Sequence, residues 1–120
     1  MIIYNPKTRA AQKIISPTEF VDVFPTLTDI AQIVPPSNVD GTSLLPMMMG
    51  QQQSVKEFAV SQYPRNNKMG YSFRTAAYRY TLWIYKSKIG QKISGKDIVQ
   101  EELFDYNTDP LETKNHFWDH

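Results

Sequence analysis

One stretch of helical periodicity, fenced by proline, constrains this chain more than any other feature in it. Phe20, Val23, Phe24, Leu27, Ile30 and Ala31 recur at the three-and-four spacing that lines up side chains on one face of a helix. Ser16-Pro17-Thr18-Glu19 precedes them as a start signal. Ser16 can accept from the third backbone position, Glu19 can reach back, and Pro17 has the φ of a first turn. Pro25 interrupts the pattern, because it cannot donate to the carbonyl four residues earlier. The expectation is a short first turn and then a main helix from near Pro25 to about Gln32. Pro35-Pro36 ends it, and the six apolar positions form one buried stripe.

Elsewhere the period changes from helical to alternating. Ile2-Ile3-Tyr4, stopped by Asn5-Pro6, reads as the end of a strand that completes a sheet elsewhere, and Ile14-Ile15 as a second short extended piece. Residues 38–53 read as loop, with a turn at Asp40-Gly41 and Met47-Met48-Met49 packing into an irregular gap rather than forming a contact surface. Phe58 to Tyr63 alternates over β-forming residues, and Tyr71 to Thr75 follows. Beyond a tight Ala76-Ala77 connection comes Tyr78 to Tyr85, with apolar bulk on both faces, as a central strand requires. Lys86 to Lys96 is a basic, glycine-containing loop. Glu101 to Asp105 is a last strand, closed by the turn Asn107-Thr108-Asp109-Pro110. The fold class is therefore α+β: a small antiparallel sheet of three or four strands packed against one main helix.

Length and composition narrow the function classes. At 120 residues, 41% hydrophobic and 21% charged, the chain is one ordinary globular domain. Thirteen basic residues against twelve acidic ones leave a net charge of +1, too little for a nucleic-acid binder. There is no cysteine, so disulfides, thiolate metal sites and a cysteine nucleophile are excluded. No apolar run approaches the roughly 20 residues needed to span a bilayer, and the N-terminus is not a signal peptide.

Few residues could carry chemistry. His116 and His120 would share a helical face beside Asp119, but a zinc site draws three or four ligands from an ordered framework, so a solvated tail is the plainer reading. Lys86, Lys88, Lys92 and Lys96 read as a solvated run rather than a polyanion grip. Tyr78, Tyr80 and Trp83 could stack sugars or bases, although core packing explains them as well. Arg65, Lys68 and Arg74 flank Asn66-Asn67, in the loop between two strands and at the start of the second. Arginine suits bidentate contact with carboxylate or sulfate; simple solvation is the alternative.

Taken in order, several segments resemble the C-terminal part of the type I sulfatases, in the alkaline phosphatase-like superfamily. Asp22-Val23-Phe24-Pro25-Thr26-Leu27 is similar to their aspartate-x-x-proline-threonine-leucine helix, and Asp40-Gly41-Thr42-Ser43-Leu44-Leu45-Pro46 to the loop that follows it. Glu102-Leu103-Phe104-Asp105, then Asp109-Pro110-Leu111-Glu112 and Asn115, resembles their closing signature. The runs Ser61-Gln62-Tyr63-Pro64-Arg65, Met69 to Thr75 and Tyr78 to Trp83 are most similar to iduronate-2-sulfatases, and argue against another sulfatase or a phosphonate-ester hydrolase of the superfamily. One departure is the connection from Arg65 to Met69, much shorter here than in the lysosomal enzyme, on what is the substrate side in the family.

The resemblance implies a hydrolase removing sulfate from a sulfated sugar, such as a uronate in a glycosaminoglycan. It implies Ca²⁺ and a formylglycine in the parent's N-terminal catalytic subdomain, which would be this chain's partner together with the sulfated saccharide. Nucleic acid and membrane are not expected partners. Residues 1–120 correspond to the C-terminal subdomain, with residues 1–15 fitting the end of the preceding catalytic one. No Cys, and no Ser before x-Pro-Ser/Ala-Arg, is present to become formylglycine. The chain is accordingly expected to be a fragment that is inactive alone and has no catalytic or metal residue. Arg65, Lys68 and Arg74 are its candidates for substrate contact, and the parent would work in the periplasm, outside the cell or in lysosomes. The alternative is a stand-alone carbohydrate-binding or structural interaction module.

Overall fold

A computed structural model describes residues 1–8 and 11–119, which divide into two compact units, Met1–Glu57 and Phe58–His120. In the first, a 3-10 turn at Phe20–Asp22 runs into the main helix, α1 (Val23–Ile30). The start signal lies three residues later than Ser16 suggests. The Glu19 N–H donates to Asp22 Oδ2 at 2.7 Å, while Ser16 Oγ instead meets Ser54 Oγ at 2.7 Å. A second, one-turn helix, α2 (Leu45–Met48), arises within the expected loop, with Pro46 in its first turn, where no N–H is required.

The apolar stripe on α1 forms but is not buried. Phe20 is 92%, Phe24 50% and Leu27 56% exposed, whereas Asp22, Pro25 and Thr26 make up the buried side. The reason lies in the loop that α1 packs against. Thr42 N–H donates to Asp22 Oδ1 at 2.9 Å, Ser43 Oγ to Asp29 Oδ2 at 2.7 Å, and Leu44 N–H to Thr26 Oγ1 at 2.9 Å. A Cβ on Gly41 would lie 2.0 Å from the Val21 carbonyl oxygen, the carbonyl that Pro25 cannot reach. The aspartate-to-threonine spacing in the helix thus matches the spacing of amides in the loop. Leu44 and Met47 form the small apolar core beside this clasp.

Asn5 does stop the N-terminal apolar run, its Oδ1 accepting the Lys7 N–H at 3.0 Å. Ile2-Ile3-Tyr4 and Ile14-Ile15 form no strand, because extended backbone becomes one only beside a pairing partner and neither run has one among the described residues.

The second unit is a four-stranded antiparallel sheet in the order β1 (Ala59–Arg65), β2 (Lys68–Arg74), β3 (Tyr78–Tyr85), β4 (Ile98–Asp105). With α1 it makes the chain α+β. β3 is central, as its two apolar faces require, with Ile84 2% and Trp83 9% exposed. Pro64 is tolerated in β1 because that strand is an edge. Trp83 opposes Gly70, where a Cβ would lie 3.0 Å from the indole, and a register shift follows at Trp83/Ile84. The Lys86–Lys96 loop contains two 3-10 turns, Lys86–Lys88 and Gly95–Asp97, tied by Lys88 Nζ to Asp97 Oδ1 at 2.9 Å.

The closing signature fastens the chain to the sheet. Asn115 Oδ1 accepts the Leu103 N–H at 2.9 Å, and its Nδ2 donates to the Glu101 carbonyl at 3.1 Å. Asp109 Oδ2 accepts the Lys114 N–H at 2.9 Å, while Glu112 takes Arg79 and the Tyr106 hydroxyl.

Candidate functional site

The sheet separates the three basic candidates. Arg65 and Lys68 do not lie in a loop: they end β1 and begin β2, paired directly across the two-residue turn Asn66-Asn67. Asn66 has φ +51°, a conformation asparagine tolerates better than most residues, so two residues suffice to reverse the chain. Arg74 is at the far end of β2, about 20 Å from Lys68 at ordinary strand rise. Its guanidinium stacks 3.5 Å from the Tyr106 ring centroid and donates to the Thr75 carbonyl, which makes it part of the closing signature's fastening. The geometry therefore brings Arg65 and Lys68 together and leaves Arg74 out.

The hairpin end gains one residue that periodicity did not reveal. Lys86 donates its backbone N–H to Asn67 O at 2.8 Å, which holds it against the turn. Tyr85, the residue before it, stands opposite Lys68 in the β2–β3 register. That register, had it been drawn from the tight Ala76-Ala77 turn, would have placed Lys86 there. Tyr63 is 66% and Tyr85 45% exposed. None of Arg65, Lys68 and Lys86 pairs with a carboxylate among the described residues, whereas Lys56, Arg79, Lys88 and Lys114 do.

The other residues singled out are engaged in structure. Trp83 Nε1 donates to Glu102 Oε1 at 3.1 Å. Tyr80 donates to Glu101, and burial first, then that carboxylate, pushes its phenol up to about 12. Tyr78 is 46% exposed. His116 Nδ1 lies 3.0 Å from Asp119 Oδ2, and His120 is outside the described residues.

One charged cluster escaped the sequence reading. Asp22, fully buried, also accepts from Lys56 Nζ at 2.7 Å, and Lys56 pairs with Glu19 as well. Burial pushes the Asp22 carboxyl up, but hydrogen bonds from Lys56, Thr42 and Glu19 outweigh it and hold the group below the usual range. Burial works against the Lys56 ammonium too, and its bonds to Asp22 and Glu19 prevail and raise it. No signal in periodicity marks Lys56, which lies 34 residues from its partner.

Among the described residues no three His, Cys, Asp or Glu side chains gather to hold a metal ion, and the chain has no cysteine. The described residues therefore offer no set of ligands for the Ca²⁺, and the chain no cysteine for the formylglycine, that the resemblance assigns to the parent's N-terminal subdomain. Nor is any helix long and apolar enough to cross a membrane among these residues.

Comparison with known proteins accords with this architecture. Residues 1–120 match the family described as N-sulphoglucosamine sulphohydrolase, C-terminal. Arylsulfatase K of Xenopus laevis is 29% identical over 116 residues, covering 96% of this chain and 22% of that protein. Arylsulfatase K of Rattus norvegicus is 29% identical over 124 residues, covering 96% and 20%. Among solved structures, a 2-O GAG sulfatase and a putative sulfatase from Bacteroides thetaiotaomicron each superpose with a TM-score of 0.63 at 30% identity, covering 82% of this chain and 20% of theirs. The chain thus spans about a fifth of the relatives it matches. Matched over its whole length by that family, with its helix locked to its loop by Asp22 and Thr26 and its meander closed by Glu112 and Asn115, this chain belongs to the C-terminal sulfatase family.

Proposed function

We propose that this chain is the C-terminal part of an iduronate-2-sulfatase-like enzyme that hydrolyses sulfate esters of sulfated sugars, and that it forms one wall of the substrate pocket without supplying catalytic residues. The observation that carries this reading is the hairpin end of the sheet, where Arg65 and Lys68 face each other without a carboxylate, in a chain whose whole length matches a sulfatase family. A guanidinium and an ammonium held on paired strand ends suit a uronate carboxylate or a neighbouring sulfate. That a 2-O GAG sulfatase is among the similar structures supports a glycosaminoglycan substrate.

In such an enzyme the other four fifths would supply the nucleophile, the Ca²⁺ and the sulfate-binding residues, and residues 1–15 would belong to its last segment. The exposed side of α1 suits such a partner: Phe20, Phe24 and Leu27 make an apolar face that folding of this chain leaves in water. Arg74, remote from the hairpin, remains a substrate contact only for a saccharide long enough to reach it.

Two measurements test the reading. The 120-residue chain should not turn over 4-methylumbelliferyl sulfate or a sulfated uronate disaccharide with Ca²⁺, and restoring the upstream segment should restore turnover. In that longer enzyme, Arg65→Ala with Lys68→Ala should raise KM about two- to tenfold at nearly constant kcat, the signature of lost binding shared by ground and transition states. Unchanged kinetics on an oligosaccharide would remove the hairpin from the substrate wall.

A further inference from the structure

We infer that residues 116–119 form a saccharide-contact site separate from the hairpin, where the Trp118 indole takes the flat face of a pyranose ring and Asp119 and His116 take its hydroxyls. The inference goes beyond the proposed function, since it uses none of the hairpin residues and asks for no sulfate.

Rigidity comes first. The Asp119 N–H donates to the His116 carbonyl at 3.1 Å and closes a four-residue turn with Phe117 and Trp118 at its corners. The turn is fastened to the sheet. The His116 N–H donates to Leu103 O at 2.8 Å, the Phe117 N–H to Asn115 Oδ1 at 3.0 Å, and the Phe117 ring lies 6.3 Å from that of Tyr80. Side chains close it a second time, with His116 Nδ1 3.0 Å from Asp119 Oδ2. Trp118 meets Phe117 edge-on, at 5.0 Å and 87°, yet it is 78% exposed. A turn held at both ends thus keeps a large aromatic ring in water. A ring already fixed loses little conformational freedom on binding, which makes it an efficient anchor.

The surroundings select the ligand. Phe20, at 92%, is more exposed, but it shares a face with Phe24 and Leu27, and a continuous apolar face suits protein. Trp118 instead shares its turn with polar groups. Lys114 Nζ lies 2.6 Å from Asp119 Oδ2, so the carboxylate is matched by an ammonium and the cluster carries little net charge. The Lys114 hydrogen bond, the largest influence, and the His116 bond outweigh burial and hold the Asp119 carboxyl below its ordinary value, so it stays an acceptor. Asp119 Oδ1 and His116 Nε2 have no partner among the described residues. A sugar presents C–H groups on one face and hydroxyls at its edge. A flat ring with charge-balanced polar groups in the same turn matches that better than it matches an anion. Phe117 packs on Tyr80, five positions along β3 from Tyr85 and roughly 17 Å away at ordinary strand rise, so this site and the hairpin are distinct.

The test is a ¹⁵N–¹H titration of the 120-residue chain with a fully desulfated heparin tetrasaccharide. The chain has two tryptophans, and the Trp83 indole, bonded to Glu102, serves as the internal reference. Expected are saturable shifts of the Trp118 indole and the 116–119 amides, none of the Trp83 indole, and the same affinity in low and high salt. Trp118→Ala should weaken binding about tenfold or more, as loss of an aromatic anchor does, and Asp119→Asn about two- to tenfold, the range for one hydrogen bond. No Trp118 shift, shifts at Arg65 to Lys68 in its place, binding lost at high salt, or unchanged affinity in Trp118→Ala would overturn the site. In the longer enzyme carrying 5-fluorotryptophan, a soluble paramagnetic quencher should reach the Trp118 resonance, assigned through Trp118→Phe. Protection with no saccharide present would mean that the remaining protein covers the ring, and would overturn the site too. The outcomes separate from those of the broader reading. A Trp118 shift with unchanged KM in the Arg65 and Lys68 variants would keep this site and remove the hairpin from the substrate wall; a raised KM without a Trp118 shift would do the reverse.

Discussion

The clasp around Asp22 and the hairpin end around Arg65 handle charge in opposite ways. At the clasp a fully buried carboxylate receives two amides and an ammonium, at 2.7 to 2.9 Å. At the hairpin, opposed cations have no carboxylate partner among the described residues. A buried charge that is completely satisfied contributes to folding and has no capacity left for a ligand. A partly exposed cation on a strand end adds little to folding and keeps its donors available. The same residue types thus separate by burial into those that hold the fold and those free to act.

Removing a partner from the clasp should have the largest effect. Asp22→Ala leaves the Thr42 and Glu19 N–H groups without their acceptor and Lys56 with Glu19 alone, and loss of one partner from a buried ion pair costs about 3–5 kcal/mol. Urea unfolding followed through the Thr42 and Leu44 amides should show that loss; a change below about 0.5 kcal/mol, ordinary for a surface site, would mean the clasp does not hold the first unit. The pH dependence follows from the same carboxylate. Its pKa is lower folded than unfolded, so its stabilisation is fully present above the ordinary aspartate value, near 3.8, and is lost as pH falls below it. The Thr42 and Leu44 signals should therefore lose stability as pH drops from 5 to 3, and Asp22→Asn should flatten that dependence.

Next in size is Gly41→Ala. The added methyl would be 2.0 Å from the Val21 carbonyl oxygen, a backbone atom that cannot swing aside, and overpacking of this kind costs about 1–3 kcal/mol. Gly70→Ala meets the Trp83 ring at 3.0 Å, where the neighbour is a side chain with some freedom to shift, so a smaller loss is expected. Thermal unfolding monitored by Trp83 fluorescence for the sheet, and by amide signals for the clasp, would rank the two. Equal losses would mean that backbone contact and side-chain contact yield alike here.

What the sequence revealed follows the same division. β3 was readable because Tyr78 to Tyr85 alternates under a covering on both faces, and the turn at Ala76-Ala77 because nothing longer fits between the strands. The α1 stripe misled: its apolar spacing is real, yet the buried side is Asp22, Pro25 and Thr26, selected by amides of a loop some 20 residues on. Periodicity reports which residues are apolar together, and in this chain Phe20, Phe24 and Leu27 remain exposed. Arg65 and Lys68 were identified as candidates but assigned to the loop around Asn66-Asn67, although both belong to paired strand ends. An edge strand tolerates the proline, and Asn66 at φ +51° tightens the turn. Arg74 looked equivalent to them because sequence distance hides the length of a strand.

The smallest effect expected is the sharpest test of the contrast. Arg65→Ala, Lys68→Ala and Lys86→Ala remove three charges from the second unit, yet each should change folding stability by no more than about 0.5 kcal/mol, because none pairs with a carboxylate among the described residues. The sign carries the information. Removing Arg65 or Lys68 relieves an opposed like-charge pair, so either single substitution should leave the hairpin unchanged or slightly firmer, and the gain should shrink as salt screens the repulsion. Amide exchange at Ser61 and Met69 in low and moderate salt would measure it. A clear loss in either variant would show that these cations stabilise the turn, and would place the hairpin with the clasp among the parts that hold the fold.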